Sequence, residues 1–343
     1  MQMNQALFIH GARQVSIEDY TPAESDALSV MLDIEAVGVC GSDLHYYKDG
    51  GIGGAVIQSP FVPGHEFSGR LTADVPSLNL AKGELVAVDP ATPCHQCEWC
   101  AKGYHNLCPK VRFIGAPPFD GAMTQQLAVP LSALVNLPES ISAEQAAMLE
   151  PLGVCIHAID LAKPKLLESV AVIGCGGIGL GIIQLLHHVG VQSIVAIDPQ
   201  EHRVKKALEL GASVAMQSLD DALIATGQRG CDLVLEATNS PDGFLHSVKA
   251  AAIGARIILI GIPDGDTYTP IAAAEARRRG LDIRFSRRMG DVYPRAIQLV
   301  KSGAIDVDTL ITHRFTMENA TNAIELQANE EPSLIKSMIL PNS

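Results

Sequence analysis

The stretch VIGCGGIGL, residues 172–180, decides the fold of the second half of this chain. Gly174, Gly176 and Gly179 fit the pattern G-x-G-x-x-G, after an apolar β-type run and before a segment of helical periodicity. A tight turn from strand to helix also explains such glycines. Here Asp198 closes the next β-type run, which is the context that a dinucleotide-binding unit requires. The stretch therefore predicts a site where backbone N–H groups at a helix N-terminus bind a pyrophosphate.

The same segment indicates which dinucleotide is bound. We assign the turn residues Gly177 and Ile178 to the cofactor site together with the three glycines. Asp198 would accept hydrogen bonds from the adenosine ribose hydroxyls, and its charge would repel a 2′-phosphate, so NAD is favoured over NADP. Arg203 is either a contact on the adenosine side or a solvated helix charge.

Short apolar runs continue beyond this motif and alternate with segments of helical length. Residues 177–190, 200–211 and 241–254 each end in a glycine, as helix C-caps often do. This alternation predicts an α/β domain with a doubly wound parallel sheet, over residues 154–287. The predicted strands are 169–174, 193–198, 231–238, 255–261 and 281–286, with a weaker one at 213–217.

Residues 1–153 have a different pattern, with short β-type runs, many prolines and glycines, and long loops. They predict an antiparallel β domain with functional loops. A chain of 343 residues exceeds what one core usually supports, so we expect two cores and a cleft between them. After about residue 288 we expect the alternation to stop, and the sequence leaves open which domain the tail joins.

Charge and composition exclude several classes of protein. The formal net charge of −13 repels phosphate backbones and anionic membranes, so we expect neither a nucleic acid partner nor a membrane partner. The N-terminal residues lack the features of a secretory signal, and no apolar run is long enough to cross a membrane. We therefore expect a cytoplasmic protein, in which clustered cysteines favour metal binding over disulfides.

Four cysteines lie within the stretch PCHQCEWCAKGYHNLCP, residues 93–109. A tetrahedral zinc site with four thiolates is closed to water and substrate, and it would stabilise a lobe at about residues 90–110. An iron–sulfur cluster and a pair of disulfides are the alternatives, but seven residues before the last cysteine do not fit the ferredoxin spacing. We predict a structural zinc held by Cys94, Cys97, Cys100 and Cys108.

A quieter set of residues suits a catalytic zinc with an open position. GVCGSDLHYY contributes Cys40, and FVPGHEFSG contributes His65 and Glu66. One thiolate, one imidazole and one carboxylate leave a coordination position for substrate. Ser42 lies two residues after Cys40, within reach of a bound alcohol. Glu150 is either a helix-end carboxylate or a further, exchangeable zinc ligand.

These motifs, with FIGAPPFDGAM and EPLGVCIHA, resemble the zinc-dependent medium-chain alcohol dehydrogenase family, and most of all its polyol branch, the sorbitol and xylitol dehydrogenases. The resemblance covers essentially the whole chain. It implies a GroES-like catalytic domain of residues 1–153 and 288–343, completed by the tail, and a Rossmann domain. It also implies two zinc ions per chain, NAD as cofactor, a small-molecule substrate, and a dimer or tetramer.

The resemblance further implies roles for individual residues. Ser42 takes the proton of the substrate hydroxyl, which leaves through the nicotinamide ribose toward His45, while a hydride passes to NAD and a ketose forms. Asp43 would hold the ring of His65. Tyr46, Ala116, Arg288 and Met289 correspond to substrate positions.

The substrate positions depart from the sorbitol dehydrogenase pattern. Ala116 stands where the animal enzymes have a Thr and Met289 where they have a Tyr, so the substrate need not be sorbitol. Arg288 is a substrate contact or one charge of the run SRRM. Activity on a sugar acid, as in L-idonate 5-dehydrogenase, or on an amino alcohol, as in threonine dehydrogenase, are the alternatives. An iron–sulfur redox or regulatory nucleotide-binding protein is a more distant one.

Overall fold

The computed structural model describes residues 4–343, which form two compact units. The first unit comprises the chain up to Pro151 together with Tyr293–Ser343, and the second comprises Leu152–Val292. Among the described residues no helix has both the length and the apolar character needed to cross a membrane. Each unit has its own hydrophobic core.

The first unit is built mainly from short strands connected by loops. Its strands before the boundary are β1 (Gln5–Gly11), β2 (Gln14–Asp19), β3 (Ser29–Gly38), β4 (Gly51–Ile52), β5 (Ala55–Val56), β6 (Glu66–Leu71), β7 (Leu85–Val88), β8 (Ala91–Thr92), β9 (Arg112–Phe113), β10 (Gln126–Pro130) and β11 (Leu134–Asn136). The helices up to and across the boundary are α1 (Gly41–Asp49), α2 (Glu98–Ala101), α3 (Ala143–Ala147) and α4 (Leu149–Ala162).

The second unit alternates strands and helices. Its strands are β12 (Ser169–Ile173), β13 (Ser193–Ile197), β14 (Val214–Met216), β15 (Cys231–Glu236), β16 (Ala251–Leu259) and β17 (Asp282–Phe285). Its helices are α5 (Gly177–His188), α6 (Glu201–Glu209), α7 (Leu219–Ala225), α8 (Gly243–Ala250) and α9 (Ala273–Arg279). The six strands are parallel, in the order β14-β13-β12-β15-β16-β17. The predicted doubly wound sheet is thus confirmed.

One helix boundary in this unit differs from the prediction. The sequence predicts a helix that continues to the glycine of segment 241–254, but α8 ends at Ala250 and β16 begins at Ala251. Ala251 pairs with Cys231 of β15, and the register then shifts before the remaining pairs form. Pairing with a buried strand therefore overrides the helix propensity of the alanine run.

The tail also differs from the expectation that the alternation stops near residue 288. It continues as α10 (Tyr293–Lys301), β18 (Ile311–Thr316), α11 (Ala320–Ala328) and β19 (Lys336–Leu340). Strands β18 and β19 are parallel, because the helix α11 returns the chain between them. The mixed polarity of ITHRFT concealed the strand β18 in the sequence.

The tail strands complete the main sheet of the first unit, in the order β11-β7-β6-β3-β19-β18, with β10 also pairing with β3. Strand β3 alternates partly buried and buried residues along SVMLDIEA, as a strand with one face on a core does. Leu32 and Ile34 of β3 pack in the first core with Phe67 of β6. This packing fixes the C-terminal end of β3, from which the chain enters Cys40 and α1.

Candidate active site

The four cysteines of the lobe converge on one point. The Sγ atoms of Cys94, Cys97, Cys100 and Cys108 all lie within 4.8 Å of one another. The Sγ atom of Cys97 is 3.5 Å from that of Cys100 and 3.9 Å from that of Cys108. A zinc–thiolate tetrahedron has edges of about 3.8 Å, which follows from its bond length. None of the eight cysteines forms a disulfide, so the cluster suits a structural zinc site.

The thiols of this lobe differ in acidity before any metal binds. A hydrogen bond from the backbone N–H of Gln96 is the main cause that lowers the pKa of Cys94 to about 6. Burial raises the pKa of Cys100 to about 12, and Cys97 and Cys108 add to the shift. Four thiolates in one cluster therefore require a cation, which fits zinc.

A second cluster lies elsewhere in the first unit and consists of Cys40, His65 and Glu66. Their ligand atoms lie within 4.8 Å of one another. Cys40 precedes α1, and Glu66 opens β6, where it pairs with Gly38 at the end of β3. The antiparallel pairing of β3 and β6 therefore brings the two sequence motifs together.

Asp43 connects these two motifs. Its side chain is completely buried, and its carboxylate accepts hydrogen bonds from the N–H of Cys40 at 2.9 Å and of Gly64 at 3.2 Å. The Nδ1 atom of His65 lies 3.8 Å from Oδ1 of Asp43. Asp43 thus fixes the backbone before His65 as well as the backbone of Cys40.

Glu150 is buried but is not part of the group of three ligand atoms. Burial raises the pKa of Glu150 to about 8; His65 opposes this shift, and Glu66 and Cys40 reinforce it. Burial also raises the pKa of Cys40 to about 12, and Glu66 acts in the same direction. Buried acidic groups that face each other in this way need a cation to ionise together.

The donor set fits a zinc ion. A thiol, an imidazole and a carboxylate converge, and Nδ1 of His65 is buried with no hydrogen-bond partner among residues 4–343. Bound there, zinc would neutralise the thiolate and the carboxylate. These residues are the ones that the sequence singled out for a catalytic metal.

One residue of this cluster was missed in the sequence. Lys336, at the start of β19, is buried, and its Nζ contacts Oε2 of Glu66. Burial lowers the pKa of Lys336, but Glu66 and Cys40 outweigh this, so the pKa of the ammonium lies above its ordinary value. The feature of the sequence that indicates a buried partner for Lys336 is its position inside the mostly apolar run LIKSMIL, residues 334–340.

Helix α1 holds the residues assigned to proton transfer. Ser42 is partly buried and forms a hydrogen bond with the thiol of Cys40. This hydrogen bond lowers the pKa of Cys40, but burial and Glu66, which raise it, outweigh the effect. His45 is buried, and its Nδ1 lies 3.3 Å from Oδ2 of Asp49. Tyr46 is buried with its ring edge-on to another aromatic ring. The residues 42, 45 and 46 share one face, as spacings of three and four residues do in a helix.

The other residues expected to contact substrate are found in both units. In the first unit Ala116 is partly buried and forms a β-bridge with Phe119. In the second unit Arg288 has a positive φ of 53°. Met289 is buried, and its sulfur occupies the space that a side chain at Gly153 would need. Met289 therefore has a packing role within its own unit.

The glycine-rich turn in the second unit has the form that its sequence predicts. Gly174 has a φ of 87°, and a Cβ atom on Gly179 would overlap the carbonyl oxygen of Gly174. Gly176 is the N-cap of α5, with Gly177 and Ile178 in its first turn. Around Gly176 and Gly177 a Cβ atom would meet nothing within 4 Å, so the helix N-terminus is accessible.

Asp198 follows β13 and is buried beside this turn. Its carboxylate accepts hydrogen bonds from the N–H of Cys175 at 2.8 Å and of Gln200 at 2.9 Å. The guanidinium of Arg203 lies 3.7 Å from the same carboxylate. Arg203 is therefore an ion-pair partner of Asp198 as well as a helix residue.

Comparison with known proteins identifies the family. The model of the alcohol dehydrogenase GroES-like domain matches residues 26–139, and that of the zinc-binding dehydrogenase matches residues 177–302. Sorbitol dehydrogenase of Bacillus subtilis is 31% identical over 99% of this chain and 98% of its own length. The chain therefore belongs to the zinc-dependent medium-chain alcohol dehydrogenase family, in its polyol and sugar dehydrogenase branch.

Two further relatives bear on the substrate and the cofactor. L-idonate 5-dehydrogenase of Vitis vinifera is 32% identical over 91% of this chain and 88% of its own length. A structure from E. coli CFT073, described as a short chain alcohol dehydrogenase complexed with NADH, is 28% identical. It superposes with a TM-score of 0.88 over 99% of this chain and all of that one. The expected GroES-like and Rossmann-like folds are confirmed.

Proposed function

We propose that this protein oxidises a secondary hydroxyl of a polyol to a ketone, with transfer of a hydride to NAD. The observation that supports this most is the convergence of Cys40, His65 and Glu66 beside Ser42 of helix α1. The relative complexed with NADH, and the carboxylate of Asp198 after β13, support NAD as the acceptor.

Residues of the first unit supply metal ligands, proton-transfer groups and a positioning carboxylate. Cys40, His65 and Glu66 would hold a zinc ion, which as a Lewis acid makes the substrate hydroxyl more acidic. Ser42 accepts the hydroxyl proton as it gives up its own, and His45, further along helix α1, is the final acceptor of the relayed proton. Asp43 keeps Cys40 and the His65 segment in place. Glu150, which interacts electrostatically with Cys40, His65 and Glu66, would be a further, exchangeable ligand of that ion.

The substrate class has two candidates. The sorbitol dehydrogenase relative favours a neutral polyol such as sorbitol or xylitol. The L-idonate 5-dehydrogenase relative favours a sugar acid, and Arg288 would supply a cation for its carboxylate. Because Tyr46 is retained, we favour a neutral polyol over a sugar acid as the substrate. Because Ala116 and Met289 depart from the pattern of the animal enzymes, we favour another polyol over sorbitol itself.

An NADH-formation screen tests this proposal. The substrates are sorbitol, xylitol, galactitol, arabinitol, erythritol, L-idonate and L-threonine, each with NAD and with NADP. We expect one polyol to respond strongly with NAD. A response confined to L-idonate or to L-threonine would replace the polyol by a sugar acid or an amino alcohol.

Two substitutions test the assignment of the active site. Cys40→Ser and His65→Ala should each lower kcat on the best substrate by at least about a hundredfold, because the metal then lacks a ligand. Cys231→Ser, a buried cysteine of the second unit, is the matched control and should retain turnover. Unchanged turnover in either active-site variant would show that the assignment is wrong.

A further inference from the structure

We propose that Lys336 is a positioning residue of the active site. It holds Oε2 of Glu66, so that this carboxylate presents only Oε1 to the metal, and its charge makes the centre less negative. This proposal rests on the proposed function, since it takes Glu66 as a metal ligand. The contact between Nζ of Lys336 and Oε2 of Glu66 is its starting point.

The sheet of the first unit fixes this contact. Strand β3 lies between β6 and β19, and Gly38 at its end pairs with Glu66 on one side and with Met338 on the other. A Cβ atom on Gly38 would overlap Oε2 of Glu66 and would lie 3.0 Å from Cε of Lys336. The ion pair therefore crosses over Gly38, in a space that only a glycine leaves open.

Lys336 is set apart from the other cations by its burial. Its side chain is 8% exposed and that of Glu66 is 1% exposed. Among residues 4–343 it is the one lysine or arginine in the buried class. Because removal of an ammonium group from water is costly, its burial must be offset by the anions around it.

The groups that face Lys336 come from several elements. Glu66 contacts the ammonium directly, and Cys40 and Asp43 also interact with it electrostatically. Glu150, at the start of α4, is within electrostatic range of the lysine as well, and His65 belongs to the same cluster. One fixed ammonium thus opposes up to four acidic groups around the metal position.

The charge and the contact have the same consequence. The ammonium repels a divalent cation and draws one carboxylate oxygen away from it, so Lys336 weakens metal binding. A less negative centre also makes a bound hydroxyl more acidic. Lys336 thus lowers the affinity of the site for its metal and raises the acidity of a hydroxyl bound there. A residue that only stabilised the fold would have the opposite effect on metal retention.

The experiment compares Lys336→Met, which removes the charge, with Lys336→Arg, which keeps it. Lys82→Met, at an exposed position of the same unit, is the control. Each variant is loaded with Co²⁺ or Zn²⁺. We measure the visible spectrum of the cobalt form, the loss of the catalytic metal to a chelator, and kcat against pH.

We expect Lys336→Met to hold the catalytic metal at least about tenfold more tightly, since one cation no longer opposes the ion. Its cobalt spectrum should change because Glu66 can offer both oxygens. Its kcat at neutral pH should fall about tenfold, with the rise of kcat displaced to higher pH. Lys336→Arg and Lys82→Met should behave like the unmodified protein.

Weaker or unchanged metal retention in Lys336→Met, or an unchanged cobalt spectrum, would overturn the proposal. Lys336→Gln is the second uncharged variant. If Met and Gln both prevent folding while Arg permits it, the role is structural and the proposal is wrong. The failure of the proposed function is recognised separately, because a cobalt spectrum insensitive to Cys40→Ser would show that the metal lies elsewhere.

Discussion

Asp43 is the residue on which the geometry of the candidate centre depends most directly. It is completely buried, and its two oxygens accept from the N–H groups of Cys40 and Gly64. Each of these two segments contributes candidate metal ligands, and the two are well separated along the sequence. Burial raises the pKa of Asp43, while His65 lowers it. The carboxylate therefore fixes the position of both segments through its hydrogen bonds.

Asp43→Asn should weaken metal retention or turnover by about 10- to 100-fold, as loss of a partner behind a metal ligand does. The amide has one acceptor oxygen, so its NH₂ group must face one of the two N–H donors. The measurement is metal content after dialysis against a chelator, together with kcat. Asp33→Asn is the control, because Asp33 bonds Gln126 on the strand surface. Equal behaviour of the two variants would contradict the role of Asp43.

Among single residues, the sequence allows site residues to be predicted where they belong to a recognisable motif. Cys40, His65 and Glu66 stand in short motifs with characteristic neighbours, so the sequence alone identified them as candidates. Lys336 has no such motif, because its partner is set by the pairing of β3 with β19, which are far apart in the chain. A lysine in an apolar strand shows that a buried partner exists but does not show which one.

Among the elements, the four-cysteine lobe can be tested independently of the rest. Trp99, the single tryptophan of the chain, lies in its helix α2 and is 43% exposed. The Nζ atom of Lys102 is 5.3 Å from the centre of its ring. Tryptophan fluorescence therefore reports on this lobe alone.

We expect Cys97→Ser to reduce zinc from two ions per chain to one and to lower the thermal midpoint, since a structural zinc stabilises its loop. The emission of Trp99 should shift in the same way when a chelator removes that zinc. Cys155→Ser should keep both ions. Visible absorbance with iron in place of zinc would instead indicate an iron–sulfur cluster.

The C-terminal end of helix α4 is stabilised by Arg256 of β16. Its guanidinium donates to the carbonyl of Ala162 at 3.0 Å and forms two hydrogen bonds with Glu168, at 2.9 and 2.7 Å. Both side chains are about one-sixth exposed, which limits screening by water. Hydrogen bonds from Arg256 are the main cause that lowers the pKa of Glu168 below its ordinary value of 4.5.

Arg256→Met should lower the free energy of unfolding by about 2 kcal/mol at pH 7. Because the pKa of Glu168 is depressed in the folded state, its share is present above pH 4.5 and is lost as the pH falls below it. Urea unfolding at pH 7 and at lower pH should thus show the gap between the two proteins narrowing. Arg284→Met, which breaks an exposed pair with Asp282, should cost less than about 1 kcal/mol. A gap independent of pH would contradict this account.

Boundaries of elements were the least predictable feature of the fold. The alanines after Lys249 favour a helix, yet Ala251 belongs to β16 because it pairs with Cys231 of β15. Likewise β18 could not be recognised from ITHRFT, since its pairing with β19 depends on residues beyond the next helix. Periodicity identifies an element with one regular face and misses an element defined by its neighbour.

For the whole molecule, the order of apolar runs is sufficient to predict the parallel sheet of the second unit, because its central strands β12, β13 and β15 are buried along most of their length. The first unit was less predictable, since its sheet combines strands from both ends of the chain. The assembly of the molecule is a further property at this scale. We predict a dimer or a tetramer, as the family resemblance implies.

The edge of the parallel sheet suggests where copies of the chain meet. Strand β17 is an edge strand of this sheet, and its Phe285 is 67% exposed. Ile253 of β16 is 84% exposed. An exposed edge with large apolar side chains pairs readily with a second copy. Phe285→Glu should therefore shift the protein toward monomers in light scattering. Leu167→Glu, at an apolar residue that is 97% exposed and lies outside any strand, should leave the mass unchanged. If Phe285→Glu keeps the mass of the unmodified protein, the copies associate through another surface.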